Sequence, residues 1–285
     1  MPAGRRQVRL AASQRVDLLT KVALSLLGVV VVVAIIQAWL PDGTANAVGF
    51  GTRLASPSSG WALLGTDQLG RAMVPRLLQG TAVTLGIAVP PSVAAALIAA
   101  LVGCLAATVR GALDTALCRI VDVLFTFPSI LLALLLVSII GPGDLGAIVS
   151  IALIVSPQVF RIVRARTLEI APREFVSAAR VSGASIRRIV LVHIVPSASG
   201  TIIVQTTFAV IIGMLVESSL SFLGLGVTPP TASLGSLIQD GSPYLTAEPW
   251  LTFEPAAVLA LIIFSVNIVG DWARDRFEVR QVVEL

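Results

Sequence analysis

The chain has 285 residues, 56% of them hydrophobic and only 13% charged, and its mean hydropathy is +0.93. Soluble domains carry roughly 25% charged residues, so the composition describes a membrane protein and excludes an ordinary soluble domain. The formal charge of +4 does not mark a nucleic-acid binder, because the basic residues sit beside apolar runs rather than on one soluble face.

Residues 1–21 carry Arg5, Arg6, Arg9, Arg15 and Lys21 and lead into the apolar run 22–40. At ~1.5 Å per residue a run of this length crosses a ~30 Å hydrocarbon core, so it is expected to be the first span. A cleaved leader is the alternative, since Ala45-Asn-Ala47 offers an A-x-A pattern and Arg5-Arg6 faintly suggests a twin-arginine signal. The apolar run is longer than a ~7–15-residue signal core, however, and several more spans follow. Residues 41–79 form a polar excursion rich in Gly, Pro and Ser, containing Leu64-Gly-Thr-Asp-Gln-Leu-Gly-Arg71. Asp67 there is expected to cap the next helix. Asp67, Gln68 and Arg71 are equally candidates for contact with an external protein.

A second span is expected over 81–109, kinked by Pro90-Pro91. A short basic turn over 110–119 follows, then a third span over 120–140 with the step Phe125-Thr-Phe-Pro128. Asp122 in that span is read as paired, with Arg119 close by. Gly141-Pro-Gly-Asp144 is a tight turn before a short fourth span over 146–163, where Arg161 and Arg164 are expected to snorkel. Cys104 and Cys118 lie in or beside spans without ligand-like spacing and read as small apolar residues, not as a disulfide or a metal pair.

The segment 172–196 is too polar for lipid and too patterned for a tail. Pro172 can open a helix, in which Phe175, Ala178, Ala179 and Ser182 fall on one small, mostly apolar face. Gly183 then turns the chain at no steric cost, and a second basic piece, 184–192, runs to Pro196. Two short helices about a glycine form a stiff knob, suited to being gripped by a soluble partner. The fifth span, 197–216, carries Gln205, Thr206 and Thr207, which must face protein or water. Pathway lining and plain interhelical packing account for them equally well. Glu217-Ser-Ser-Leu-Ser-Phe-Leu-Gly-Leu-Gly-Val-Thr-Pro-Pro230 is expected to be irregular, because its prolines and glycines oppose a long helix. The last span, 255–270, lies between Trp250 and Trp272, placed as interfacial aromatics.

With six spans and an internal N-terminus, seventeen of the twenty Lys and Arg residues fall inside, leaving Arg53, Arg71 and Arg76 outside. Both termini are therefore expected in the cytoplasm. Lys21 is the only lysine, so no G-x-x-x-x-G-K-[ST] phosphate loop exists. His193 stands alone and is read as structural or interfacial, and no metal site is expected.

Four stretches together resemble the permeases of ABC importers, in the peptide and nickel branch. Ser177-Ala-Ala, Gly183 and His193-Ile-Val-Pro196 are similar to that family's EAA loop, with Ser177 where its leading Glu stands. The 64–71 stretch resembles its GTDxLGRD signature, with Ala72 replacing the final Asp. Residues 217–230 resemble E-x-x-LSFLGLGxxPP, and Asn267-Ile-Val-Gly-Asp-Trp-Ala-Arg-Asp275 resembles its terminus. The resemblance implies an all-α membrane protein with six transmembrane helices and the type I ABC importer permease fold with cytoplasmic coupling helices. The core is expected over 80–275, the coupling loop over 164–196 and a cytoplasmic tail over 276–285. It further implies a non-catalytic subunit of a bacterial inner-membrane importer. Expected partners are a second homologous permease, two ABC ATPase subunits that bind ATP and Mg, an extracytoplasmic substrate-binding protein, and membrane lipid, but no nucleic acid. Cargo would be a di- or oligopeptide, a nickel chelate, haem or a similar small compound. The chain itself would need no cofactor. Glu174, Phe175, Ala178, Ala179, Arg180, Gly183 and Arg187 are the expected ATPase-docking residues. The rival from the residues alone is a self-sufficient secondary transporter or channel.

Overall fold

The computed structural model describes residues 3–39, 43–48, 52–57 and 63–283. Residue 40 of the expected first span and the last two residues of the tail lie outside them. Apolar runs with few charges cannot leave backbone N–H and C=O groups unpaired in lipid, so they form helices. In order these are α1 (Ala3–Trp39), α2 (Gly43–Asn46), α3 (Met73–Val109), α4 (Ala112–Thr126), α5 (Ser129–Ile140), α6 (Asp144–Ile170), α7 (Glu174–Val181), α8 (Ile186–Arg188), α9 (Val195–Ser197), α10 (Ser199–Phe222), α11 (Leu234–Gly241) and α12 (Trp250–Val283). A π-helical turn, Ile189–Ile194, joins α8 to α9, and a 3₁₀ turn, Ser242–Tyr244, follows α11. Parts of α1 and α12, with α3, α6 and α10, are long and apolar enough to cross a membrane, and α4 with α5 makes a sixth, broken crossing.

That break corrects the expected third span. Residues 112–140 are two helices meeting at 94°. Phe127 is extended (φ −90°, ψ 130°), as the residue before a proline prefers, and Pro128 cannot continue the α4 ladder. The basic turn expected over 110–119 shrinks to Arg110-Gly111, both at positive φ. Pro90-Pro91, by contrast, lies inside an unbroken α3. The fourth span is not short, because α6 runs 27 residues to Ile170.

The core is built on α3 against α6. Ala96, Ala100, Cys104 and Ala107 are all buried along one stripe of α3, and small residues there let two backbones approach. A Cβ added at Gly103 would sit 2.9 Å from the Phe160 carbonyl oxygen of α6. At one end of the bundle lie the 63–72 loop, the Gly141–Gly143 turn, 223–233 and α11. Gly143 N–H donates to the Leu225 carbonyl at 3.2 Å, and Ala232 N–H to Gln79 Oε1 at 3.2 Å. At the other end lies the 171–197 knob.

The segment beginning at Glu217 is helical where irregularity was expected. Nothing before Gly224 stops a helix, so α10 runs on to Phe222. Gly224 then takes φ +75°, and Leu225 N–H reaches back to the Leu220 carbonyl at 2.9 Å, a glycine-closed helix end.

Candidate functional site

The knob is a short helix stopped by one glycine. Glu174, not Pro172, is its first helical residue: Arg173 N–H closes a turn onto the Ile170 carbonyl at 3.0 Å and Arg173 caps α7 in extended backbone. Glu174 in the first turn and Arg180 in the last both suit the helix dipole. At Gly183 (φ +78°) the chain reverses. Gly183 N–H donates to the Arg180 carbonyl and Ala184 N–H to that of Ala179, both at 3.1 Å. These two bonds form the Schellman pattern, which favours glycine at this position.

The knob buries one side and exposes the other. Val176 is fully buried and joins the continuous apolar core with Ile189, Val190 and Ile194. Ala179 packs partly against it. Phe175, Ala178 and Ser182 are exposed, so the small apolar face points away from the bundle. Val181, which the periodicity argument passed over, is 90% exposed at the tip. It follows Glu174 by seven residues and Ala178 by three, a helical spacing that marks one face. Arg180, Gly183, Arg187 and Arg188 are exposed beside it. The Phe175 ring rests near that of His193, centroids 6.3 Å apart and tilted by 47°, which places His193 in the knob's frame. Among the described residues no group of three or more His, Cys, Asp or Glu could hold a metal.

The second piece of the knob is only partly as expected. Ser185 caps α8, accepting from Arg188 N–H at 3.4 Å, and then the helix widens over Ile189–Ile194. Pro196 has no N–H to give to the turn below it, and π turns of this kind recur at functional sites. Beneath the knob Arg164 does not snorkel but bonds Asp114 of α4 twice, at 2.6 and 2.7 Å. Arg161, not Arg119, pairs with Asp122 at 2.7 Å and lies over the Phe125 ring at 4.3 Å.

At the opposite end Asp67 and Arg71 are both nearly wholly buried. Asp67 does not cap α3, whose N-cap Ala72 has no side-chain bond. Its Oδ1 instead accepts from Leu69 N–H and Arg71 N–H, both at 2.9 Å, and its Oδ2 from Arg71 Nε at 2.6 Å. Arg76 Nε approaches the same oxygen at 3.4 Å, and Arg76 Nη2 lies 3.5 Å from Asp240 of α11. The loop is therefore fastened to α3 and α11 by buried charge, and of the three candidate external contacts only Gln68 is partly exposed. Trp250 is likewise turned inward, its Nε1 buried near Gly65. Trp272 is 39% exposed, as an interfacial ring should be.

Sequence reasoning singled out Glu217 only as the head of a signature. It is fully buried, accepting from Ser221 Oγ at 2.8 Å and Ser218 Oγ at 3.2 Å, with Thr84 and Ser233 also hydrogen-bonded to it. It thus ties α10 to α3 and to the cap of α11. The signal available was a carboxylate followed by Ser218, Ser219 and Ser221 at the end of an apolar span, where an unpaired charge could not be buried.

Of the three candidate lining residues on α10, Gln205 meets a cavity. Thr207 packs against Gly270 of α12, and the Thr206 hydroxyl is spent on the Ile202 carbonyl. Gln205 is 7% exposed, and its Oε1 has no hydrogen-bond partner among the described residues. It lines a chamber of about 110 Å³ between the α4–α5 break, α6 and α10.

Residues 99–282 match the family model for the binding-protein-dependent transport system inner membrane component. The chain belongs to that family. The nickel transport system permease protein NikC of Escherichia coli (strain K12) is 32% identical over 93% of this chain and 95% of its own length. The oligopeptide transport system permease protein OppC of Bacillus subtilis (strain 168) is 36% identical over 75% of this chain and 70% of its own. Among solved structures, a chain of the MetNI methionine ABC transporter in an inward-facing conformation superposes with a TM-score of 0.60 at 21% identity. That match covers 72% of this chain and 97% of the other. The fold is that of a type I ABC importer permease, and this permease is a multi-pass inner-membrane translocation subunit of the peptide and nickel branch.

Proposed function

We propose that this permease forms half of the translocation pathway of an ATP-driven importer for di- or oligopeptides or a cargo of similar size. Its partners are a second, homologous permease, two ABC ATPase subunits and an extracytoplasmic substrate-binding protein. ATP and Mg are held by the ATPases, and this chain is non-catalytic. Both termini and the knob face the cytoplasm, where seventeen of the twenty basic residues then lie.

The observation that carries this reading is the knob itself. Its inner side is anchored in the core by Val176, Ile189, Val190 and Ile194, while its outer side presents Phe175, Ala178, Val181, Arg180 and Arg187 to a partner. A rigid lever seated in an ATPase cleft moves when the ATPase dimer closes, and the helices attached to it rock outward to receive cargo. Hydrolysis and release return them. Nucleotide shifts this equilibrium only through contacts that differ between the two states, and the knob is where such contacts are available. The relatives' names point to peptides and nickel, and a peptide cargo is the reading adopted here.

Purification from native membrane in mild detergent tests this. A second permease and ATPase subunits should accompany the chain. Gly183→Asp should release the ATPases while leaving membrane insertion intact, because Asp tolerates the left-handed conformation better than most residues and a Cβ at 183 meets nothing within 4 Å. Normal ATP-driven uptake by Gly183→Asp would overturn the docking assignment. A lone chain or homo-oligomer without ATPases would favour a secondary transporter.

A further inference from the structure

The broken crossing and Gln205 together make a site of definite chemistry. The chamber lies where α4 and α5 part, with Phe127 and Ser129 on one side, Pro157 and Gln158 of α6 on another, and Gln205 and Phe208 of α10 on the third. Its volume of about 110 Å³ holds several waters, the scale of one amide unit rather than of a whole cargo. No Asp, Glu, His, Cys, Lys or Arg lines it. Metal coordination there lacks ligands, and the charges beside it, Arg161 over the Phe125 ring and its partner Asp122, form a pair of their own.

Two features ask for a hydrogen-bonding guest. Gln205 is more than nine-tenths buried, yet its Oε1 is left without a donor among the described residues. Ser129 opens the 12-residue α5, whose first N–H groups have no partner within the helix, and Pro128 before it gives no side-chain cap. Broken membrane helices place such backbone ends at substrate sites. A carboxamide offers an acceptor and a donor side by side, the complement of a peptide group. The first N–H groups of α5, which have no partner within the helix, supply further donors for a carbonyl.

We infer that this chamber reads the backbone amide of a peptide cargo as it passes, with Gln205 as the principal contact and Ser129 and Gln158 beside it. The inference rests on the peptide-import reading above. It makes the pathway wall, and not only the delivering protein, sensitive to cargo chemistry, because a buried amide left unpaired discriminates against a guest that cannot bond it.

The test uses the complete importer in lipid vesicles with trialanine and its N-methylated analogue as probes. Wild type should take up trialanine, with N-methylation raising the apparent KM about tenfold, the scale of one lost hydrogen bond. In Gln205→Leu trialanine should fall to the level of its analogue, and N-methylation should no longer matter. Gln205→Asn should recover part of the difference. Four outcomes overturn the inference. Absence of trialanine uptake by wild type would remove the peptide reading and this site with it. Unchanged uptake by Gln205→Leu would remove the site alone. Reduced uptake that still responds to N-methylation would make Gln205 merely structural. Loss of the second permease from the purified Gln205→Leu complex would assign the chamber to a subunit interface.

Discussion

Arg164 holds Asp114, fifty residues back in the chain, through two parallel bonds, Nε to Oδ1 at 2.6 Å and Nη2 to Oδ2 at 2.7 Å. The pair fastens α4 to α6 just beyond the Arg110-Gly111 reversal, so the first half of the broken crossing is braced where it begins. With Asp114 largely buried, removal of its partner leaves a carboxylate poorly solvated. Arg164→Met should cost about 1–3 kcal/mol. The double variant Asp114→Leu/Arg164→Met should be less damaged than the sum of the two single variants. Thermal unfolding of the four proteins in one detergent reads this cycle, and strict additivity would show that the pair does not act as a unit.

Asp240 introduces a pH dependence of known sign. Burial pushes its carboxyl above the ordinary carboxylate range, against the pull of Arg76. A folded-state value above the unfolded one means that folding favours the protonated acid. The contribution is fully present below the ordinary carboxylate value and fades as pH climbs through the raised one. As pH rises above about 4, the ordinary carboxylate value, the wild-type melting temperature should therefore fall relative to that of Asp240→Asn. Parallel profiles for the two proteins would refute the sign.

The packing of α3 on α6 depends on the absence of one side chain. A Cβ at Gly103 would meet the backbone oxygen of Phe160 at 2.9 Å, and backbone cannot swing aside as a side chain can. Gly103→Val should force α3 from α6 and cost about 1–3 kcal/mol as an overpacked core does, with Gly103→Ala intermediate. Detergent-resistant melting measures it, and a valine variant as stable as wild type would mean that the two helices separate freely.

Val181 separates folding from docking. At 90% exposure it contributes nothing to the core, and Val181→Glu should change stability by no more than about 0.5 kcal/mol. The same change puts a charge at the apolar tip of the knob and should weaken retention of ATPase subunits during purification. Undiminished retention would move the docking surface to the basic side, toward Arg187.

The helices were legible because lipid leaves the backbone so few choices, and Gly183 because it is a local signal with a local effect, whereas the expected third span ran straight through Pro128. What escaped the sequence was relational. Asp122 has an arginine three residues away, yet the fold brings Arg161 nearer, and no pattern within one helix could show that. Val176, which nothing in the sequence singled out, anchors the knob, because its partners Ile189, Val190 and Ile194 lie on a later turn of the chain. Asp67 and Arg71 look like an exposed polar loop in sequence. Arg76 and Asp240, one on α3 and one on α11, are what draw them inside. At Pro90-Pro91 and at Pro128 the same residue type gives opposite results, an unbroken helix and a right-angled one, since only at the second does the preceding Phe127 adopt extended backbone.

The π turn at Ile189–Ile194 fixes the knob's bearing. Each residue of a helix advances the chain by about 100° around its axis, and the wide turn absorbs one residue more than an α turn would. Six residues in the wider turn rotate the chain about as far as five would in α form, so the extra residue is absorbed without turning α10 against the basic pair Arg187 and Arg188. Forcing the same six residues into α form would swing that pair by about 100° around the helix axis.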